Sequence, residues 1–450
     1  MKKLPKLVLG SLVAIALGYG AWTQTPSLKQ PDEVTTTRKL AQKRWEEARL
    51  VARDPAQNGY INPRLRPFWS SQAEAVDVQS PDYKAVSDWL TYADPSRPPD
   101  SYQSLLNEPR FRQALAGFEP LERDLQEAMR RPFFLVPEAK AWDVTMPHPN
   151  LVAPVNVANA TVALARVRLA QGKHAEAVSL LGGVVRFGKA LSGYNFLIQD
   201  HASVRVQQLA GLGYLSLFPP EAPLTATDWS ELATSFVAAI PPKNQLVVAL
   251  ENQMAFGLNS LDAAGGEASA PGFGRWPWAF PGYAGREKRV YANAMMEIVE
   301  AARGGPGAHL PESLAHPTVM DYLRGEAGQS TDTLIPSFSG LEAAFELNRK
   351  RTIALALLSA TRAFAAEKGR LPKDLAEVRE AGIAVPEPTA IGPDGATWKR
   401  SSDGVTIEAS YVPHERYPRD VPAAKRPWAD ESQDGKLVYR VTGVPPLSKR

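Results

Sequence analysis

The 450-residue chain contains no cysteine. That absence excludes disulfide frameworks, cysteine-ligated zinc, iron–sulfur clusters, thiol nucleophiles and lipid attached through a thiol. Histidine is scarce as well, at six residues, and none stands in the H-E-x-x-H spacing that sets two imidazoles on one helix face. An excess of one charge is also missing. The 51 Lys+Arg against 48 Asp+Glu leave a net charge of +3, which provides no broad basic field for a nucleic-acid partner. P-loop and G-x-G-x-x-G phrases are absent, and Phe338-Ser339-Gly340 lacks the first glycine of a nucleophile elbow. What is plentiful is apolar residues, 44% of the chain, together with 39 Pro and 32 Gly. These supply a core and many connections, and at about 150 residues per domain they predict two or three domains.

The start of the chain carries a localisation signal. Lys2, Lys3 and Lys6 precede an apolar run from Leu7 to Trp22. Positive charge ahead of such a run stays in the cytoplasm, so the remainder is expected on the far side of a bacterial inner membrane, anchored through residues 7–22. The run is shorter than the roughly 20 residues of an ordinary spanning helix, so an exported chain cleaved after Gly20 is the competing expectation. Tyr19 and Trp22 suit the aromatic belt at the outer interface.

Six segments follow from patterning: an anchor or signal at 1–22, a polar linker at 23–37, a helical body at 38–262, a Gly/Pro-rich aromatic loop at 263–285, a helical continuation at 286–339, and a long helix plus small sheet at 340–450. Within the body, stretches near 155–171, 174–190, 199–217, 227–240 and 243–262 place apolar residues at three- and four-residue spacing. Gly172-Lys173, Pro219-Pro220 and Pro241-Pro242 punctuate them. Tyr291, Ala294, Ile298 and Ala302 share one face of a helix near 286–303. The run Ile353–Leu358 is apolar on every side, which makes 340–368 a central buried helix rather than a membrane span. After it the period shortens: Val405, Ile407, Ala409 and Tyr411 alternate with polar residues, and Asp394-Gly395, Asp403-Gly404 and Asp434-Gly435 are tight-turn signals. Strands are expected near 396–400, 404–412 and 436–442. The fold class is therefore mainly α, a helical hairpin bundle or short α-solenoid, with a small C-terminal α+β module built on an antiparallel sheet.

Two stretches resemble known families. LARVRLAQGKHAEAVSLL, residues 164–181, resembles one tetratricopeptide hairpin, with small residues where the helices approach and Gly172 at the turn; no second copy lies about 34 residues away. The phrase Lys368-Gly369-Arg370-Leu371-Pro372 with Leu375, followed by Pro393-Asp394-Gly395 and Asp403-Gly404, is similar to the head of major pseudopilins. The N-terminus lacks the prepilin processing start and the glutamate inside the apolar run, so the resemblance implies a pilin-like tail on a different protein. Anchor, helical body and tail together are similar to uncharacterised bacterial envelope proteins.

Candidate sites are few. His174-Ala175-Glu176 has the H-x-E form of zinc deaminases, but without cysteine ligands it reads as the turn of the hairpin. His309, His316 and Asp321 lie in a Gly/Pro-rich connection with no helical spacing to converge them on a metal, while His148, His201 and His414 stand alone. Glu312-Ser313 resembles the catalytic phrase of helical lytic transglycosylases, though the Gly-Leu-Met-Gln phrase of that family is absent. Glu342 and Glu346, beside Arg349, Lys350 and Arg351, read as a solvated charged face. Phe273, Trp276, Trp278, Phe280 and Tyr283 crowd the aromatic loop and are the candidate protein-binding residues, since exposed rings give much contact area for little entropy loss. The alternative is that these rings cap the core. The expectation is a membrane-anchored periplasmic scaffold or adaptor for another envelope protein, the tail pointing to pilus or secretion machinery, with no cofactor, no metal and no nucleic-acid partner. The alternative is an enzyme acting on envelope glycan, with Glu312 as general acid.

Overall fold

The computed structural model describes residues 27–62, 64–65, 80–93, 101–136, 142–143, 152–193, 197–219, 222–266, 283–304, 341–411, 429–432 and 435–442. Its helices are α1 (Pro31–Ala52), α2 (Pro81–Leu90), α3 (Ser101–Leu105), α4 (Pro109–Arg130), α5 (Val152–Ala170), α6 (His174–Leu191), α7 (Leu197–Leu217), α8 (Ala226–Ala239), α9 (Gln245–Gly266), α10 (Tyr283–Gly304), α11 (Leu341–Lys368) and α12 (Leu375–Glu380). The strands are β1 (Thr397–Ser401), β2 (Gly404–Ser410), β3 (Ala429–Ser432) and β4 (Lys436–Val441). The protein is mainly helical with a small antiparallel sheet near its C-terminus, as the periodicity predicts. The chain forms two compact units from interleaved stretches: 1–47, 138–146 and 246–338 in one, and 48–137, 147–245 and 339–450 in the other.

In the first unit α1 begins at Pro31, inside the stretch expected to be a linker. Proline is favoured at the first helical position, and Asp32 and Glu33 complement the positive end of the helix. Val34, Thr37, Ala41 and Trp45 are buried at three- and four-residue spacing, and the Trp45 and Trp142 rings stack with centroids 6.0 Å apart. In α10, Tyr291, Ala294 and Ile298 are buried on one face as the spacing predicts. Gly257 of α9 admits the Tyr291 ring: a Cβ there would lie 2.1 Å from the phenol oxygen. That hydroxyl donates to the Gln253 carbonyl at 2.9 Å, which satisfies a group that burial would otherwise penalise. Charged side chains join the same helices at the surface. Arg303 reaches Glu33 at 2.6 Å and Glu251 at 3.0 Å, and Arg44 reaches Glu251 at 3.0 Å.

The second unit is organised around α11. From Ala344 to Ala366 nearly every side chain of this helix is buried, because α7 and α8 pack on it from one side and β2 and β4 from the other. The sheet order is β1-β2-β4-β3, all neighbours antiparallel. Its inner face sets Val405 opposite Val441, Ile407 opposite Tyr439, and Ala409 opposite Leu437, all buried. Cross-strand apolar pairs of this kind are the unit of sheet stability. The hairpin α5–α6 closes through Gly172 at φ 77°, with Gly172 N donating to Leu169 O at 2.9 Å and Lys173 N to Arg168 O at 2.8 Å. This is the glycine-dependent end that satisfies the last carbonyls of a helix. Trp89 stacks on Phe118 at 5.5 Å and donates to the Ala160 carbonyl at 3.0 Å, which ties α2 to α4 and α5.

Three further differences from the sequence expectations have clear causes. The helix expected over 100–131 is two helices, because Pro109 starts a new one. The sheet gains β3, a four-residue strand without a readable alternation. The basic triplet does not simply face water. Lys350 and Arg351 are buried; Lys350 reaches Glu346 at 2.5 Å and the Ser410 carbonyl, and Arg349 donates to the Asp394 carbonyl at 2.8 Å. Long stems allow such residues to cover apolar surface while the heads of Arg349 and Lys350 find oxygen atoms.

Candidate functional site

Of the candidates named from sequence, most fall outside the described residues: Phe273, Trp276, Trp278, Phe280, Glu312, His309, His316, Asp321, His148 and His414, with the apolar run 7–22. Tyr283 opens α10 and its side chain is not described. His174 is the first residue of α6, and His201 is exposed on α7. Among the described residues no group of three or more His, Cys, Asp or Glu is arranged to hold a metal ion, and no helix is long and apolar enough to cross a membrane.

The structure instead brings together a buried polar seam that no sequence motif marks. It lies along one face of α7. Asp200, Ser203 and Gln207 recur at three- and four-residue spacing, each is buried, and Gln199 beside them is buried as well. Asp200 is 0% exposed. Its Oδ1 accepts from Gln245 Nε2, on the first residue of α9, at 2.7 Å, while Oδ2 has no hydrogen-bond partner. Neither Nε2 nor Oε1 of Gln199 has one either. Ser203 donates to the Gly188 carbonyl of α6 at 2.5 Å. Gln207 accepts from Asn348 of α11 at 2.5 Å and reaches the last carbonyl of α8, Ala239 O, at 3.4 Å. The seam therefore joins α6, α7, α8, α11 and the start of α9 through side-chain amides, one hydroxyl and one carboxyl.

Electrostatics follow from that burial. Desolvation pushes the Asp200 carboxyl up to about 8, against the smaller opposing pull of the Gln245 hydrogen bond and of Lys189. Burial holds the Lys189 ammonium below its usual range, and Asp200 only partly offsets this. At neutral pH the Asp200 carboxyl thus carries its proton and joins the seam as a neutral group.

A second acidic position lies on α11. Burial first, and the neighbouring Glu346 second, push the half-buried Glu342 up to about 7. Glu346 is ion-paired with Lys350 at 2.5 Å, so this surface is partly desolvated rather than an ordinary charged face. Elsewhere ionic chemistry fixes helices. Arg168, 7% exposed, meets Glu119 at 3.0 Å, Glu176 at 3.2 Å and also Glu122, which binds α5 to α4 and α6. Arg362 donates to the Phe218 carbonyl at 3.2 Å just past the end of α7, with its guanidinium 4.8 Å from the Trp229 ring centre. A cation at that carbonyl end is favoured by the helix dipole, and the aromatic face compensates its burial.

A lone carboxyl among buried amides and a hydroxyl carries no motif, which is why sequence reasoning missed Asp200. The signal available was the charge at 200 within an otherwise apolar and amide face of α7. No family model, curated protein or solved structure matches the chain.

Proposed function

We propose that the protein is a membrane-anchored scaffold of the bacterial envelope whose helical body presents a surface to another envelope protein. The observation that carries this reading is the stacking of successive helices α5 to α8 on one another, with α7 and α8 also packed on α11, held by interhelical side chains such as Arg168 and Arg362. Helical stacks of this type offer long, pre-organised faces to peptides and partner helices, so binding costs them little ordering entropy. The Lys-flanked apolar start supports the anchored orientation, with the body outside the cytoplasm. The pilin-like phrasing of the tail supports a place near pilus or secretion machinery.

The test is gentle crosslinking in cells followed by affinity capture of the full chain from detergent-solubilised membranes. An envelope protein recovered at fixed stoichiometry, and lost when the body is deleted but the first 30 or so residues are kept, is the expected result. Recovery of the chain alone, from the soluble fraction, counts against both the anchor and the scaffold.

A further inference from the structure

We propose that the seam between α6, α7 and the start of α9 is a proton-operated latch: it is closed while Asp200 is neutral, and loss of that proton frees the first turns of α7. The argument rests on what surrounds the carboxyl. Asp200 is fully buried, one oxygen accepts a single hydrogen bond from a neutral amide, and the other has none. No cation stands within ion-pair distance of it among the described residues. A carboxylate in such a place would keep neither water nor a counter-charge, whereas a carboxylic acid is tolerated.

The charged surroundings are few. From α6 the facing group is Lys189, half-buried and disfavoured in its charged form by the same desolvation. The start of α9 contributes Gln245, and α8 and α11 meet the seam through Ala239 and Asn348, none of which titrates. On α7 itself His201, though its surface is open to water, is held below its usual range by partial desolvation first and by Arg205 second.

Geometry couples the proton to opening. α6 and α7 are in backbone contact at Gly188, where a Cβ would lie 2.6 Å from Gln207 Cγ and 3.3 Å from Gln207 N. Ser203 bonds to the carbonyl of that same glycine. Separation of this crossing would let water in along α7, where the unpartnered amide of Gln199 would be solvated together with the carboxylate. By linkage, each pH unit between the ordinary carboxylate range and the raised value makes opening about tenfold easier. The latch is tight in acid and loose toward about pH 8.

Hydrogen exchange of the full chain, followed by mass spectrometry from about pH 5 to about pH 8 and corrected for intrinsic rates, reads this directly. Protection at the start of α7 and the end of α6 should fall about tenfold per pH unit in the wild type and stay flat in Asp200→Asn. Lys189→Met should carry the decline to higher pH, because the amine's charge favours the ionised form. Equal pH dependence in the wild type and Asp200→Asn overturns the latch. Should Asp200→Asn fail to fold, infrared difference spectra decide the matter in a chain carrying only Glu342→Gln, which removes the other carboxyl raised among the described residues. A protonated carboxyl band lost near pH 8 supports the proposal, and a chain with no such band at about pH 7 refutes it.

Discussion

Replacing Asp200 with asparagine should stabilise the protein at neutral pH, and the gain should grow with pH. In the folded chain the carboxyl holds its proton to about 8, while in the unfolded chain it ionises near 3.8. Between those values the unfolded state has released a proton that the native state retains, so stability falls as pH rises, by about 1.4 kcal/mol per unit. At pH 7 the accumulated cost is about 4 kcal/mol on the same relation. Asparagine has the same shape, keeps an oxygen for the Gln245 amide, and has no proton to lose. Its NH₂ group replaces Oδ2, which lacks a partner, so a desolvation cost of about 1–3 kcal/mol opposes the gain. The net expectation at pH 7 is a stabilisation of about 1–3 kcal/mol, reversing to a loss near pH 4. Urea unfolding followed by circular dichroism at about pH 4.5, 6 and 7.5 measures it. A stability difference between variant and wild type that stays constant over those values would show that the carboxyl is not held neutral.

Other perturbations address the helix contacts. Arg168→Met leaves the largely buried Glu122 without its partner and should cost about 2–4 kcal/mol in denaturant unfolding, discounted because Glu119 and Glu176 are exposed enough to be solvated. A loss below about 0.5 kcal/mol would show that the three-carboxylate cluster contributes nothing net. Arg362→Met removes the donor to the carbonyl following α7 and should lower stability by about 1–3 kcal/mol; Arg362→Lys should recover only part, because an ammonium lacks the planar face over Trp229. Gly257→Ala forces the Tyr291 ring away and breaks its bond to Gln253, so a thermal-melt loss of about 2–5 kcal/mol is expected, with a neutral outcome excluding the close approach.

The legibility of this fold from sequence depended on period. Helices α5 to α9 were readable because Gly172 and the proline pairs mark ends that propensity alone leaves vague. Strand β2 was readable because Val405, Ile407 and Ala409 alternate cleanly, and the apolar run at 353–358 already identified α11 as a buried element. The start of α1 was not, since a polar, threonine-rich stretch after Pro31 reads as linker until the Val34–Thr37–Ala41–Trp45 stripe finds its partners. Charged residues misled for a related reason. Lys350 and Arg351 are hydrophilic in composition, and only packing reveals that both are buried and that the Lys350 head meets the Glu346 carboxylate and the Ser410 carbonyl. Asp200 was invisible because its importance is its surroundings, brought together from α6 and the start of α9 across separate stretches of chain.

The position of α11 has a consequence for biogenesis. The helix that fills the centre of its unit is encoded between residues 341 and 368, after the whole of α9 and α10 has been made. Until then the faces of α7 and α8 that will bury Tyr214, Trp229 and Phe236 lack their cover. The nascent chain therefore carries an open apolar cleft through more than a hundred residues of synthesis, a span in which aggregation competes with folding. Truncations ending before residue 341 should be captured by holdases or degraded, whereas chains extending through residue 441 should escape both.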